Sequence, residues 1–510
     1  MNANRPRNAE WRHAGAVLNA LRADAGSGAE EARERAARLR DALARLVAAT
    51  DSPVGRRHGA GNRSPTGGGT SRLLDRIDHF VVLMLENRSF DHMLGFLYTD
   101  QGNRSSAGHP YEGLTGAESN PDRSGTETAV FRIDSTRPGA YYMPGANPGE
   151  GYRQTNRQLF GTANPPTPAP AATNRGFLID FADMLDRRLE QGASVYPGTT
   201  AADIMGCFAP GSLPVLSSLA RGYAVCDHWY GSVPTETIPN RAFACAGTSL
   251  GRMNDRTDTF VAPSIFGLLG DHGIPWAVYG YEAQPLTRGL FTDTAHADER
   301  HFGRFADFRN AAANGSLPGF SLLEPSWSSA GNSQHPNADV ALGEQLILDV
   351  YRALRDGPAW ARTLLVITYD EHGGCYDHVP PPSGAMPPDE WPGDFGFDFT
   401  RFGPRVPTVL VSPLIEPGSV FRVPDGSVPL DHTSVLKTVE ERWNLPALTA
   451  RDRAAPGFGE VLTLDEPRDD DPLAGVVAPT TAEANPAAAE TARLQEVRDQ
   501  LCARRLIPDV

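Results

Sequence analysis

Four apolar runs of strand length constrain this chain more than anything else in it: HFVVLML (79–85), WAVYGY (276–281), TLLVITY (363–369) and VPTVLVS (406–412). Each is apolar at consecutive rather than alternate positions, so both faces of the strand must be covered. ADVALGEQLILDVYRALRD (338–356) and SVLKTVEERWN (434–444) instead carry apolar residues at helical spacing. Continuous apolar strands separated by helices predict an α/β body, a central and mostly parallel sheet with helices on both faces. In such sheets ligands gather beyond the carboxyl ends of the strands.

Two of the four runs end in polar clusters. Glu86-Asn87 follows the first, and Asp370-Glu371 follows the third within TYDEHGGCYDH (368–378). Taken singly, such a pair can be a helix cap or an exposed turn; Asn87 or Ser89 would serve to cap a helix over 90–97. Two pairs on one sheet edge point further. Carboxylate and amide oxygens suit Mg²⁺, Ca²⁺ or Mn²⁺, or zinc in an oxygen-rich site. Carboxylates buried together are costly unless a cation compensates them.

A third element is SVPTETIPNR (232–241). Pro234 and Pro239 punctuate it, which predicts a rigid loop rather than a helix or an interior strand. Within it Thr237 stands four residues before Arg241. A hydroxyl nucleophile can be activated by metal coordination, and an arginine beside it can hold phosphate oxygens.

The net charge of −15 argues against a nucleic-acid partner, which would need a basic surface. Five cysteines without a C-x-x-C pattern leave at least one unpaired within a monomer. No apolar run approaches the roughly 20 residues that span a bilayer, so no transmembrane segment is expected. The first 30 residues also lack the apolar stretch of a signal peptide. As written, the sequence predicts a cytoplasmic protein, or a secreted or periplasmic one if a leader is missing.

The organisation reads in four parts. Residues 1–50 form a helical extension, with Ala32, Ala36, Leu39, Leu43 and Leu46 at helical spacing, and residues 51–72 are a Gly/Ser/Pro/Arg-rich linker. Residues 73–450 form the main body, in which the Gly- and Pro-rich stretch 100–175 is a lid or loop insertion, or simple surface decoration. Residues 451–510 form an acidic tail with one helix near 488–505.

Five blocks carry a family resemblance: IDHFVVLMLENRSFDHMLGFL, DHWYGSVPTETIPNR, HPNADVALGE, TLLVITYDEHGGCYDHVPPP and DHTSVLKTVEERW. In this order they resemble the phosphoesterase family, which holds bacterial phospholipases C, plant non-specific phospholipases C and an acid phosphatase branch. The resemblance runs from about Asp75 to Asn444. It implies an alkaline-phosphatase-like fold and one divalent metal ion, of calcium, manganese, magnesium or zinc. The ligands it implies are Glu86, Asn87, Asp370 and Glu371, with the nucleophilic hydroxyl completing the shell.

Aligned on Pro239-Asn240-Arg241, that nucleophile is Thr237. Where family members read Gly-Pro-Thr, this chain reads Thr235-Glu236-Thr237, so Thr235 is a second candidate and Glu236 an added carboxylate. Arg241 joins Thr237 in the catalytic set, and Asn240 and Glu236 fall to substrate binding. His335 and His378 are assigned to protonate the leaving alkoxide and to hold non-bridging oxygens. His372 is either a phosphate contact or a support for the metal ligands, and His432 a structural Asp-His cap.

The expected reaction is a displacement by Thr237 followed by hydrolysis of a phosphothreonine. The favoured substrates are phosphodiesters with phosphocholine-like head groups, including phospholipids. Glu236, Trp229 and Tyr230 would form the acidic and aromatic wall that a quaternary ammonium prefers. An acid phosphatase is the alternative, and a binding protein that has lost its chemistry a remote one. A sulfatase is set aside, because a threonine cannot give the aldehyde those enzymes need. The oligomeric state is left open.

Overall fold

The computed structural model describes residues 73–481, apart from 194, 257, 329 and 337, and residues 493–507, apart from 505. The expected helical extension and linker lie outside the described residues.

One eight-stranded sheet organises the body. Its strands are β1 (His79–Leu85), β2 (Ala224–Cys226), β3 (Trp276–Gly280), β4 (Phe302–Arg304), β5 (Phe320–Glu324), β6 (Thr363–Tyr369), β7 (Thr408–Val411) and β8 (Ser419–Val420). They lie in the order β8-β2-β7-β6-β1-β5-β3-β4. β7 runs antiparallel to β6 and β2, and every other pairing is parallel. All four expected runs are therefore strands, and the α/β, mostly parallel expectation holds. The strand from 406–412 is the reversed one. β5, which the hydropathy pattern did not single out, is a central strand; FSLLE is short and lies between Gly319 and Pro325.

All seven residues of β6 are buried. Since successive side chains alternate between faces, both faces of the sheet are covered. Each large apolar side chain so buried contributes about 1.5–3 kcal/mol. An aspartate at Ile367 would place an unpaired charge at the middle of this layer and unfold it.

The helices that matter to the site are α1 (Phe90–Leu94), α2 (Tyr152–Phe160), α3 (Phe177–Glu190), α4 (Pro214–Gly222), α5 (Thr237–Ala246), α6 (Val340–Arg355) and α7 (Thr433–Trp443). α6 starts where Asp339 accepts a hydrogen bond from the Ala341 amide at 2.9 Å. It buries Leu346, Ile347, Val350 and Leu354 at helical spacing. α1 is shorter than expected: Ser89 caps it, and it stops before Gly95.

The stretch 100–175 is more built than a loop. It holds a hairpin of Ser119–Pro121 with Glu127–Ala129, the strand Phe131–Ile133 paired with Gly206–Phe208, and α2. Leu114, Val130 and Ala146 from this stretch share a small apolar cluster with Phe177, Leu178 and Phe181 of α3. The tail is likewise part of the body. Phe458, Val461, Leu462 and Leu473, and Leu494 and Leu501 of the helix Arg493–Ala503, are buried in the same core as β6.

Candidate active site

β1 and β6 are parallel neighbours in register, Leu85 opposite Tyr369, so Glu86-Asn87 and Asp370-Glu371 leave the sheet side by side. Asn87 takes a left-handed backbone conformation (φ 56°), which asparagine tolerates better than most residues. Its amide donates to Asp370 Oδ1 at 3.0 Å, and the Glu371 amide donates to the same oxygen at 2.8 Å. Gly373 passes so close that a Cβ there would lie 2.0 Å from the Asn87 carbonyl oxygen. That approach, with a φ of 63°, requires glycine.

Thr237 is the first residue of α5, and its Oγ1 donates to Asn87 Oδ1 at 3.1 Å. The segment expected to be loop is therefore helix from Thr237 onward. Pro239 fits because it lies in the first turn, where no intrahelical bond needs its missing N–H. Thr235 Oγ1 donates instead to the Met253 carbonyl at 2.7 Å. Asn240 holds the loop before the helix, accepting from the Val233 amide and donating to the carbonyls of Val233, Thr235 and Glu236. Glu236 accepts from the Asp255 amide at 2.6 Å, and Asp255 accepts from the Ile238 amide at 2.7 Å.

Arg241 braces the metal-ligand candidates from behind. Its Nε donates to Asp370 Oδ2 at 2.9 Å, and its Nη2 to the carbonyls of Met84 and Leu85. The guanidinium lies 4.7 Å from the Trp327 ring centre and is almost wholly buried. His432, expected as an Asp-His cap, also supports Asp370: its Nε2 is 2.6 Å from the Asp370 carbonyl oxygen.

Electrostatics mark the same spot. Burial, reinforced by Asp370 and opposed by His335 and Arg241, pushes the Glu86 carboxyl up to about 7. Burial, with Glu150 and Asp370 adding to it, raises Glu371 well above the carboxylate range. Glu371 Oε2 accepts from the Gly373 amide at 2.7 Å, whereas its Oε1 is buried with no hydrogen-bond partner. Burial lowers His335, but the carboxylates of Glu150 and Glu86 outweigh it and raise the imidazole to about 9. Burial depresses His372 to about 3, and its Nε2 is 2.7 Å from Gln158 Oε1.

Glu150 is a site residue that sequence reasoning missed. It comes from the stretch between the first two blocks, where two flanking glycines are its only signal. Its Oε2 accepts from Asn87 Nδ2 at 2.7 Å and lies 3.7 Å from His335 Nε2.

His378 is held elsewhere. Its Nδ1 and its backbone amide both lie 2.6 Å from Asp91 Oδ2, at the start of α1. Arg405 pairs with Asp91 Oδ1 at 2.8 Å and with Asp377 Oδ1 at 3.0 Å. Asp91, Asp377 and His378 bring potential ligand atoms together, but the guanidinium already supplies the compensating charge. The expected aromatic wall is not there: Trp229 is fully buried against Phe458, and Tyr230 is buried against Phe402.

By their chemistry the residues at the strand ends suit a hard divalent cation, while among the described residues the one His/Cys/Asp/Glu group whose ligand atoms all lie within 4.8 Å of one another is Asp91, Asp377 and His378. Three buried carboxylates, an amide oxygen and a hydroxyl are all oxygen donors, and one carboxylate oxygen among them is orphaned in the interior. Arg241 and His335 do not balance Glu86, Asp370, Glu371 and Glu150 when all four carboxyls are ionised.

The Phosphoesterase family model matches residues 77–446. The chain is 36% identical to non-specific phospholipase C1 of Arabidopsis thaliana over 419 residues, covering 78% of this chain and 73% of that one. Non-specific phospholipase C4 of the same plant is 35% identical over 78% of this chain and 73% of its own length. Phospholipase C A of Mycobacterium tuberculosis is 30% identical over 73% of this chain and 74% of its own. With the match spanning the sheet and both strand-end clusters, the chain belongs to the Phosphoesterase family and is a phosphoric ester hydrolase.

Proposed function

We propose that the protein is a metal-dependent phosphodiesterase of phospholipase C type that attacks phosphorus through Thr237 and favours phosphocholine-like head groups. The observation that carries this reading is the Thr237 hydroxyl, 3.1 Å from Asn87 Oδ1 at the edge where the strand-end carboxylates meet. The names of the plant and mycobacterial relatives support the diester reading.

Glu86, Asn87, Asp370, Glu371 and Thr237 would hold the cation, with Arg241 and His432 fixing Asp370 from behind. When bound, a divalent ion neutralises phosphoryl oxygens and favours the deprotonated hydroxyl. Thr237 Oγ1 gives its proton to solvent and forms a bond to phosphorus as the bond to the leaving alcohol breaks. His335, kept protonated by Glu150, gives its Nε2 proton to the departing alkoxide. Water then hydrolyses the phosphothreonine, one of its protons restoring the Thr237 hydroxyl, and His335 regains its proton from solvent.

Head-group preference rests on carboxylates rather than on aromatic rings. Glu236 lies close to the Gly151 backbone beside Glu150, and Asp255 sits against the amide following Thr237. A cationic alcohol suits such surroundings better than a second phosphate charge does. The test compares kcat/KM for p-nitrophenylphosphocholine and p-nitrophenyl phosphate across several divalent metals. A tenfold preference for the monoester, about 1.4 kcal/mol, would move the protein to the acid phosphatase branch.

A further inference from the structure

His372 is 1% exposed, yet one of its two ring nitrogens has no hydrogen-bond partner. The other settles the tautomer. Gln158 Nε2 donates to the Gly149 carbonyl at 2.6 Å and to Asp180 Oδ2 at 2.9 Å, which fixes the amide orientation and leaves Oε1 facing His372 Nε2 at 2.7 Å. An acceptor there requires the proton on Nε2. Nδ1 is then a bare lone pair, and it cannot donate to a phosphate oxygen.

That lone pair lies 3.2 Å from Glu371 Oε2 without the alignment of a hydrogen bond. Glu371 Oε1 beside it is orphaned as well. Two acceptors held this close in the interior repel each other unless a proton or a cation lies within reach of both. A separation of 3.2 Å is also what neighbouring ligands show when they share one ion at about 2.0–2.3 Å.

We infer that His372 Nδ1 is a nitrogen ligand of the same divalent ion that Glu371 holds, set in place by the chain Asp180–Gln158–His372. This rests on the metal reading of the site and deepens it. Gln158 and Asp180 lie on α2 and α3, so elements outside the strand-end blocks orient the ligand. A nitrogen donor tilts selectivity toward zinc and away from calcium, which prefers oxygen alone.

The test uses Mn²⁺ alone on the full chain. Pulsed EPR of the Mn²⁺-loaded wild type is expected to show an imidazole nitrogen coupling that is absent in His372→Ala. Gln158→Leu is expected to weaken Zn²⁺ binding by about 10–100-fold and Ca²⁺ binding by much less; the hydrogen bonds it loses to Gly149, Asp180 and His372 lower the melting temperature in EDTA, so the change in the Zn²⁺/Ca²⁺ affinity ratio is the readout. Bound Mn²⁺ with oxygen couplings only, or a nitrogen coupling that survives in His372→Ala, overturns the inference while leaving the metal centre standing. A wild type that binds none of these ions overturns the metal reading itself. The wild-type spectrum is decisive even if a variant fails to fold.

Discussion

Glu150 Oε2 accepts a hydrogen bond from Asn87 Nδ2 at 2.7 Å, joining the stretch after α1 to the residue that follows β1. The same oxygen lies 3.7 Å from His335 Nε2. One carboxylate thus orients the amide that follows β1 and raises the histidine beside it.

Glu150→Gln keeps an oxygen for Asn87 but removes the charge beside His335. His335 must be protonated to donate, and its raised value of about 9 owes much to that charge. Its pKa should therefore fall, and the alkaline limb of the kcat/KM profile should move to lower pH. Glu150→Ala should also lower kcat/KM by about 10–100-fold, or about 1.4–2.7 kcal/mol. A pH–rate profile checks this; an alkaline limb that does not move would take Glu150 out of the proton's path.

Thr237→Ala should reduce turnover by at least about a thousandfold, because the attacking oxygen is gone. Thr235→Ala should keep most activity and lose about 1 kcal/mol of stability with the bond to Met253. Steady-state rates and denaturant melts of the two variants separate the roles. The reverse pattern would make Thr235 the nucleophile.

Asp91→Asn tests the Arg405 cluster. Burial raises Asp91, but His378 and Arg405 outweigh it and hold the carboxyl below its ordinary value, so its contribution is present above about pH 4 and lost in more acid solution. Burial lowers His378, but Asp91 outweighs it; that contribution is full below about pH 6.5 and lost as pH rises through the folded value. The stability gap between wild type and variant should peak between about pH 4 and 6.5. It should lie at the lower end of about 3–5 kcal/mol, since Asp377 stays on Arg405. Urea melts across pH measure it, and a gap that is flat with pH would refute it.

Chelation should abolish hydrolysis and lower the melting temperature, because Glu86, Asp370 and Glu371 would then have Arg241 and His335 alone to offset them. Restoring an activating ion to about 100 times its Kd should return about 2.7 kcal/mol. Differential scanning calorimetry with and without EDTA reads this directly. Full activity in EDTA would end the metal reading.

The strands were legible in the sequence because a strand buried on both faces must be apolar at every position, and β1, β3, β6 and much of β7 show that run unbroken. The polar strand ends were legible for the same reason, since Glu86 and Asp370 each break an apolar run with a charge. Pairing was not. Hydropathy does not carry strand direction, so the reversal of β7 came only with the tertiary structure. The helical start at Thr237 was hidden by Pro239, whose missing N–H matters in a helix interior and not in a first turn. Trp229 and Tyr230 had the right chemistry for a head-group wall, but packing turned both inward. Glu150 and Gln158 acquire their roles through contacts with residues 63 and 214 positions away. Their local sequence holds no period or motif, because what places them is the packing of a separate cluster against the sheet edge.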